Sequence, residues 1–250
     1  MITSELSAFF EERLTEITDY AELLTDVEKA AQSGPPKIVG ASSVISTSQQ
    51  RILYSSVYLQ LYNLVEATVS RCVEAVAEAA ADGAWRPDDL NQEMRREWVR
   101  SSARTHVDLA PENRLTTAVS MCDDLISSLP LSTFRIELGG GGNWDEDAIE
   151  KIGARLGCRL QIKPLTRTAV KRVMRDGVGA LKLVKNLRNG LAHGSISFRE
   201  CADGVTISEL QNVIDAVAQY LREAIACFST YIDLFDFLLP DRRPTAGSAS

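Results

Sequence analysis

The chain has 250 residues, of which 45% are hydrophobic and 24% charged, and its formal net charge is −7. This composition is that of an ordinary soluble globular protein, and the acidic balance argues against a protein whose whole surface binds nucleic acid nonspecifically. No run of about eighteen apolar residues occurs, and the N-terminus lacks the basic-then-apolar pattern of a secretory signal. We therefore expect no transmembrane helix, no secretion and no membrane partner.

The cysteine pattern also argues against a secreted protein. The five cysteines lie far apart and form no Cys-x-x-Cys pair; they are Cys72, Cys122, Cys158, Cys201 and Cys227. An odd and scattered set is typical of reduced thiols in a cytoplasmic protein. Neither histidine lies beside a cysteine at the spacing of zinc ligands, so we expect no metal and no cofactor.

Two long helices are predicted in the first third of the chain. Apolar side chains recur at helical spacing across residues 2–31, before the Ser-Gly-Pro-Pro sequence at 33–36, and again across residues 48–81, before the Asp-Gly pair at 82–83. Two such helices joined by a loop suggest an antiparallel hairpin inside a helical bundle.

Shorter elements are predicted next. Pro87 opens a polar helix over residues 87–101, and another proline opens a helix over 111–129. Residues 134–138 and 159–163 are candidates for short strands, and four glycines occupy 139–142. Asn143, with Glu146 three residues later, predicts a capping box at the start of a helix that ends near residue 156.

Helices are predicted again over residues 166–176, 178–193 and 206–239, with a connector over 195–204. The fold class is therefore all-α, an antiparallel helical bundle with at most short β pieces. We expect one domain over 1–239, with a long hairpin (1–81), insert-like helices and the glycine loop (82–165), and a final pair of helices (166–239). The last residues, 240–250, have no apolar face and are predicted to be disordered.

The helix over residues 178–193 carries the main candidate site. It ends at Gly194, a residue type that closes helices in the left-handed conformation, and its apolar stripe is Leu181, Val184, Leu187, Leu191 and Ala192. Arg188, Asn189 and His193 lie near its C-terminal end. Five residues at about 100° each separate Arg188 from His193 by roughly 140°, so the two side chains flank one face of the helix end.

An arginine and a histidine suit RNA cleavage without a metal. The reaction needs a proton taken from the ribose 2′-hydroxyl, a proton given to the leaving 5′-oxygen, and charge stabilised on the phosphorane. Histidine performs either proton step near neutral pH, and the guanidinium fork of arginine matches two phosphate oxygens. Asn189 is a candidate for orienting the histidine or holding the RNA backbone.

The spacing alone is weak, because Arg100 and His106 match a looser form of it in polar, unpatterned surroundings. The four glycines at 139–142 precede no Gly-Lys-Ser/Thr, so a flap or a plain turn is favoured over a phosphate loop.

The charge is unevenly distributed along the chain. Residues 159–188 hold nine bases and one acid, Asp176, whereas residues 1–33 hold eight acids and two bases. This basic segment is either a solvated helix face or a surface that binds RNA phosphates, and both interpretations stay open. In the second, the candidate RNA-binding residues are Lys171, Arg172, Arg175, Lys182 and Lys185.

The sequence 187–194, Leu-Arg-Asn-Gly-Leu-Ala-His-Gly, resembles the Arg-Asn-x-x-x-His signature of the HEPN superfamily. The segments 62–66, 139–143 and 197–201 are similar to a stand-alone bacterial branch of HEPN-like nucleases, and the likeness spans most of residues 1–235. The resemblance implies a HEPN-like helical bundle and, in many members, a metal-independent ribonuclease of toxin–antitoxin or phage-defence systems.

The resemblance also implies roles for individual residues. Arg188 would bind phosphate, His193 would act as acid or base, and Asn189 would orient the site. Glu66 would support the motif from a neighbouring helix, although a structural salt bridge explains it equally well. Two protomers would bring their motifs together in a homodimer with a composite site. One HEPN subset carries a tyrosine two residues after the histidine, where adenylylation controls activity; here that position is Ser195, so this control is not expected.

The leading hypothesis is a cytoplasmic endoribonuclease that leaves a 2′,3′-cyclic phosphate, with RNA as substrate and an antitoxin or defence protein as partner. The rival is a non-catalytic HEPN-like module that binds RNA, a nucleotide or another protein, with Arg188 and His193 in structural roles. A third hypothesis, a metal-dependent nuclease, lacks the clustered carboxylates that such a site requires.

Overall fold

The computed structural model describes residues 2–38, 40, 43–104, 107–127, 130–131, 134–139 and 143–244. Its helices are α1 (Ile2–Ser33), α2 (Thr47–Asp82), α3 (Gln92–Ser102), α4 (Pro111–Ile126), α5 (Glu146–Leu156), α6 (Pro164–Lys171), α7 (Ala180–Ala192), α8 (Phe198–Cys201) and α9 (Ile207–Asp233). Within these residues no strand forms, and only isolated bridges join Lys37 to Val44 and Leu90 to Leu238. The prediction of an all-α helical bundle is confirmed.

The three long helices form the centre of the bundle. The Tyr20 hydroxyl of α1 donates a hydrogen bond to the Leu53 carbonyl of α2 at 3.0 Å, while Arg71, near the far end of α2, lies 3.8 Å from Glu5. Helix α1 therefore runs antiparallel to α2. The guanidinium of Arg222 in α9 holds both carboxylate oxygens of Glu11 at 2.7 and 2.9 Å, which fixes the third long helix against the first.

Burial explains why α2 is the central helix. Helix α1 buries one stripe of apolar side chains, as an amphipathic helix on the outside of a bundle does. Helix α2 buries residues around most of its circumference, including Tyr58, Leu61, Tyr62 and Val65. Its start is fixed by a capping box between Ser46 and Gln49.

Helix α3 begins later than the proline signal predicted. Residues 87–89 form a turn instead, because the Asp89 carboxylate accepts the Arg86 amide at 2.8 Å and the Asp89 carbonyl accepts the Leu239 amide at 2.8 Å. Asn91 then caps the helix, accepting the Met94 amide at 2.8 Å. The long-range bond to Leu239 therefore outweighs the local preference of proline for the first helical position.

The two predicted strands, 134–138 and 159–163, do not form. Phe134 and Ile136 are buried in an extended segment that has no neighbouring strand in the described part of the chain. The Lys163 amide donates to the Glu223 carboxylate at 2.8 Å, and the Gln161 amide donates to the Cys227 sulfur at 3.3 Å. Side chains of α9 therefore take the place of a partner strand.

The boundaries near the C-terminus also differ from prediction. Helix α6 ends at Lys171 rather than at 176, α9 ends at Asp233 rather than at 239, and the connector over 195–204 contains the short helix α8. Residues 240–242 form a 3-10 turn, and Arg243 forms an ion pair with Asp236. The predicted disorder is therefore wrong for residues 240–244, and residues 245–250 lie outside the described chain. None of the helices described is long and apolar enough to cross a membrane.

Candidate active site

Helix α7 packs the predicted stripe into the core. Leu181, Val184, Leu187 and Leu191 are each at most 9% exposed, whereas Ala192, at the edge of the same stripe, is exposed. The buried stripe fixes the rotation of α7 against α2. The polar residues at the C-terminal end of α7 consequently lie along the rim of the bundle.

The last turn of α7 is closed by backbone hydrogen bonds. The His193 amide donates to the Asn189 carbonyl at 3.0 Å, and the Ser195 amide donates to the Gly190 carbonyl at 3.0 Å. Gly194 has a φ of +68°, the left-handed conformation that the sequence predicted for the end of this helix. His193 is the residue that caps the C-terminal end of α7. Its side chain is exposed, and the imidazole makes no hydrogen bond to any residue that the structure describes. The imidazole is therefore accessible to a ligand.

Arg188 is held on three sides. Its guanidinium carbon lies 3.9 Å from the centroid of the Tyr62 ring, so one face of the planar group rests on the aromatic ring. One nitrogen, Nη2, lies 3.2 Å from Glu66 Oε2, and the other, Nη1, donates to Asn189 Oδ1 at 2.9 Å. These contacts fix the guanidinium while leaving its second face and its remaining N–H groups available.

Glu66 and Tyr62 lie four residues apart on α2, so they share one face of that helix. Glu66 was predicted from the sequence as a site residue and Tyr62 was not, although their four-residue spacing links the two. The Tyr62 ring is fully buried, and its hydroxyl accepts the Trp144 amide at 3.2 Å. Burial is the main cause that raises the pKa of Tyr62, so its phenol stays neutral beneath the arginine.

Asn189 connects the arginine to the segment after the glycine loop. Its side-chain oxygen Oδ1 accepts from Arg188, and its Nδ2 donates to Asn143 Oδ1 at 2.8 Å. Its side chain therefore orients Arg188, and no described contact joins it to His193. The glycines at 140–142 lie outside the described residues, but the asparagine that follows them is part of the site.

The sequence predicted that Asn143 would cap α5, but it does not. Its side chain accepts from Asn189 instead. Asp145 caps the helix instead, accepting the Ala148 amide at 3.0 Å, and it also forms an ion pair with Lys185 of α7. Burial raises the pKa of the Asp145 carboxyl, but the hydrogen bonds from Lys185 and Ala148 outweigh it, so the net pKa is lowered. The charged pair therefore ties α5 to α7 one turn before Arg188.

A family model for HEPN_MAE_28990-like HEPN domains matches residues 2–237. The chain belongs to this HEPN family. The match spans all nine helices named above, which agrees with the resemblance seen in the sequence. No curated protein and no solved structure matches the chain.

In this HEPN bundle, the basic segment is less uniform than its charge count suggested. Lys185 is paired with Asp145, and Arg175 donates to the main-chain carbonyls of Cys201 and Glu200. Both residues were nominated for RNA binding, and the structure gives both a contact inside the protein. The other three nominees, Lys171, Arg172 and Lys182, are exposed.

No group of three or more His, Cys, Asp and Glu side chains is arranged to hold a metal ion in the part of the chain that the structure describes. His106, the second histidine, lies outside those residues. The candidate site of this HEPN domain therefore consists of Arg188, Asn189, His193 and Glu66, as nominated, together with Tyr62 and Asn143.

Gly190 is required by the turn that carries His193. A Cβ atom at this position would lie 2.7 Å from Ile196 Cγ2, on a β-branched side chain with little freedom to move. Gly190→Ala is therefore expected to lower the free energy of unfolding by roughly 1–3 kcal/mol, measured by urea denaturation. Without this contact, alanine in a helix would raise stability by up to about 1 kcal/mol.

Gly194→Ala is the matched control for the Gly190 variant. A Cβ there meets no atom within 4 Å, so only the positive φ opposes it, at a cost of about 1 kcal/mol. A Gly190→Ala protein that is as stable as the wild type would contradict the close approach between Gly190 and Ile196.

Proposed function

We propose that this HEPN protein is a metal-independent endoribonuclease. It cleaves RNA by attack of a ribose 2′-hydroxyl on the adjacent phosphate and leaves a 2′,3′-cyclic phosphate and a 5′-hydroxyl. The observation that carries this proposal is the fixed guanidinium of Arg188 on the same helix end as the exposed imidazole of His193. Membership in the HEPN family, which includes many nucleases, supports it.

Arg188 has the role of binding the scissile phosphate. Its contacts with Glu66, Asn189 and Tyr62 remove the freedom of a long side chain before RNA arrives, so less entropy is lost on binding. As charge grows on the phosphorane oxygens, a fixed fork of N–H donors stabilises the transition state more than the ground state.

His193 has the role of moving protons. The reaction has two proton steps, removal from the 2′-hydroxyl and delivery to the 5′-oxygen, and one imidazole performs one of them at a time. The site of one protomer supplies one histidine. We therefore infer that the active enzyme is a homodimer. The C-terminal ends of the two α7 helices face each other, so that the His193 of the second protomer completes the acid–base pair.

The exposed cations Lys171, Arg172 and Lys182 would bind the RNA backbone on either side of the site. The biological setting that fits such an enzyme is that of a cytoplasmic toxin or phage-defence effector. A protein partner would restrain it, because an unrestrained ribonuclease harms the cell that makes it.

The test is cleavage in EDTA of a labelled single-stranded RNA and of total tRNA. The matched substrate is the same RNA with 2′-O-methyl groups throughout, which lacks the nucleophile but keeps the phosphates. The wild type is expected to cut the RNA, leave a cyclic phosphate end, and spare the methylated strand. The Arg188→Ala/His193→Ala double variant, purified identically, controls for contaminating nucleases.

Cleavage of the methylated RNA, or activity that appears only with a divalent cation, would overturn the mechanism. If the protein binds both RNAs equally and cuts neither, the non-catalytic module becomes the better description.

A further inference from the structure

A second site lies near the start of α7, away from Arg188 and His193. A cavity of about 580 Å³ opens there between α2, residues 172–175, α7, residues 203–205 and α9. Its volume is within the range of small-molecule sites, roughly 300–1,000 Å³. Leu183 of α7 lines it, and the ten residues from Leu183 to His193 correspond to about 15 Å along the helix. None of the residues that line the cavity belongs to the candidate active site.

A buried tyrosine without a partner marks this cavity. Tyr58 lines it and is only 2% exposed, yet its hydroxyl makes no hydrogen bond with any residue in the described ranges. Burial raises the pKa of Tyr58, so the phenol keeps its proton and remains a donor. A hydroxyl that faces the cavity and has no protein partner can donate to an acceptor oxygen of a ligand bound there.

Four charged side chains line the cavity, the acids Asp203 and Glu209 and the bases Arg172 and Arg175. Of its acids, Asp203 forms an ion pair with Arg51 at 2.6 Å, and Glu209 accepts from the amide and hydroxyl of Thr206 at 2.8 and 3.0 Å. Arg175 donates to main-chain carbonyls and lies 3.9 Å from the Asp176 carboxylate. Arg172 is exposed at the cavity and has no ion pair among the residues described.

The remaining wall is largely apolar, with Met174, Leu183 and Val213 among its side chains. We propose that this cavity binds a small organic anion with an apolar body. Its carboxylate or phosphate group pairs with Arg172, an oxygen accepts the Tyr58 hydroxyl, and the body packs against the apolar wall. Binding of the anion requires no RNA cleavage, and the cavity shares only Arg172 with the surface proposed to bind the RNA backbone.

The probe is 8-anilinonaphthalene-1-sulfonate, which has an anionic group on an apolar aromatic body and fluoresces in apolar surroundings. Saturable binding to the wild-type protein is expected. Arg172→Gln should weaken it about tenfold, which corresponds to about 1.4 kcal/mol. Tyr58→Phe should weaken it severalfold, and Asn212→Trp, at an exposed position of the wall, should abolish it. Lys171→Gln, at the exposed neighbour that does not line the cavity, should leave it unchanged.

The uncharged analogue N-phenyl-1-naphthylamine tests the need for an anion. It should bind the wild type more weakly than the sulfonate, and Arg172→Gln should remove that difference. Competition by benzoate against phenyl phosphate then distinguishes a carboxylate from a phosphate ligand. If Tyr58→Phe does not fold, the two variants at exposed positions still decide the matter. Equal binding of the sulfonate by wild type, Arg172→Gln and Asn212→Trp, or no saturable binding, would overturn the proposal.

Discussion

Replacing His193 with alanine is expected to lower the rate of RNA cleavage by roughly 10²–10⁴-fold, the usual contribution of a positioned acid or base. The fold should not change, because the imidazole is exposed and makes no hydrogen bond to the described residues. The loss should therefore appear in the rate of the chemical step and leave the affinity for RNA nearly unchanged.

The measurement is the single-turnover rate on a labelled RNA in EDTA, with helicity and oligomeric state compared by circular dichroism and sedimentation. Asn186→Ala is the matched control, since Asn186 is also exposed on α7 and lies outside the site. His106→Ala separates the two histidines of the chain and should cleave like the wild type. If His193→Ala cuts RNA at the wild-type rate, the site has no acid–base role for this residue.

The local part of the site could be predicted from the sequence because local rules govern it. The spacing of Leu181, Val184 and Leu187 fixes which face of α7 is buried, and Gly194 fixes where the helix ends. These two features place Arg188 and His193 on the rim of the bundle. Periodicity and one capping residue were sufficient, since neither depends on distant parts of the chain.

The support beneath Arg188 could not be predicted in the same way. Tyr62 lies 126 positions earlier in the sequence and Asn143 lies 45 positions earlier, and only the packing of α2 and α5 against α7 brings them together. Asn143 also matched a capping pattern, yet Asp145 is the residue that caps α5. Two residues of α7 contact them, since Lys185 pairs with Asp145 and Asn189 donates to Asn143, and these contacts depend on packing that the sequence pattern does not contain.

A charge count has a related limit. The excess of bases between residues 159 and 188 allowed either a solvated helix face or an RNA-phosphate surface, because a count cannot tell an exposed cation from one with a partner. Lys185 meets a carboxylate and Arg175 meets two carbonyls, so both contribute to the internal structure. The predicted strand over residues 159–163 did not form because the backbone amides of Gln161 and Lys163 donate to side chains of α9, a contact that no local sequence pattern indicates.

Arg188→Ala is expected to lower cleavage by at least about 10²–10³-fold, the loss seen when one donor to a developing oxyanion is removed. Arg188→Lys should lose nearly as much, although it keeps the positive charge, because an ammonium cannot bridge Glu66 and Asn189 while stacking on Tyr62. Stability should change little in either variant. The ion pair with Glu66 is partly exposed, and such pairs contribute about 0–1 kcal/mol.

The same single-turnover assay separates the contacts of the guanidinium. Tyr62→Phe keeps the ring under Arg188 and should retain most activity, while Tyr62→Leu removes the ring and should lower the rate. Glu66→Gln keeps a hydrogen-bond acceptor near Arg188 and removes the competing charge, so it should bind RNA at least as tightly as the wild type. If Arg188→Lys cleaves at the wild-type rate, positive charge alone is sufficient. The fixed geometry of the fork would then have no part in the chemistry, because a lysine reproduces the charge and none of the three contacts.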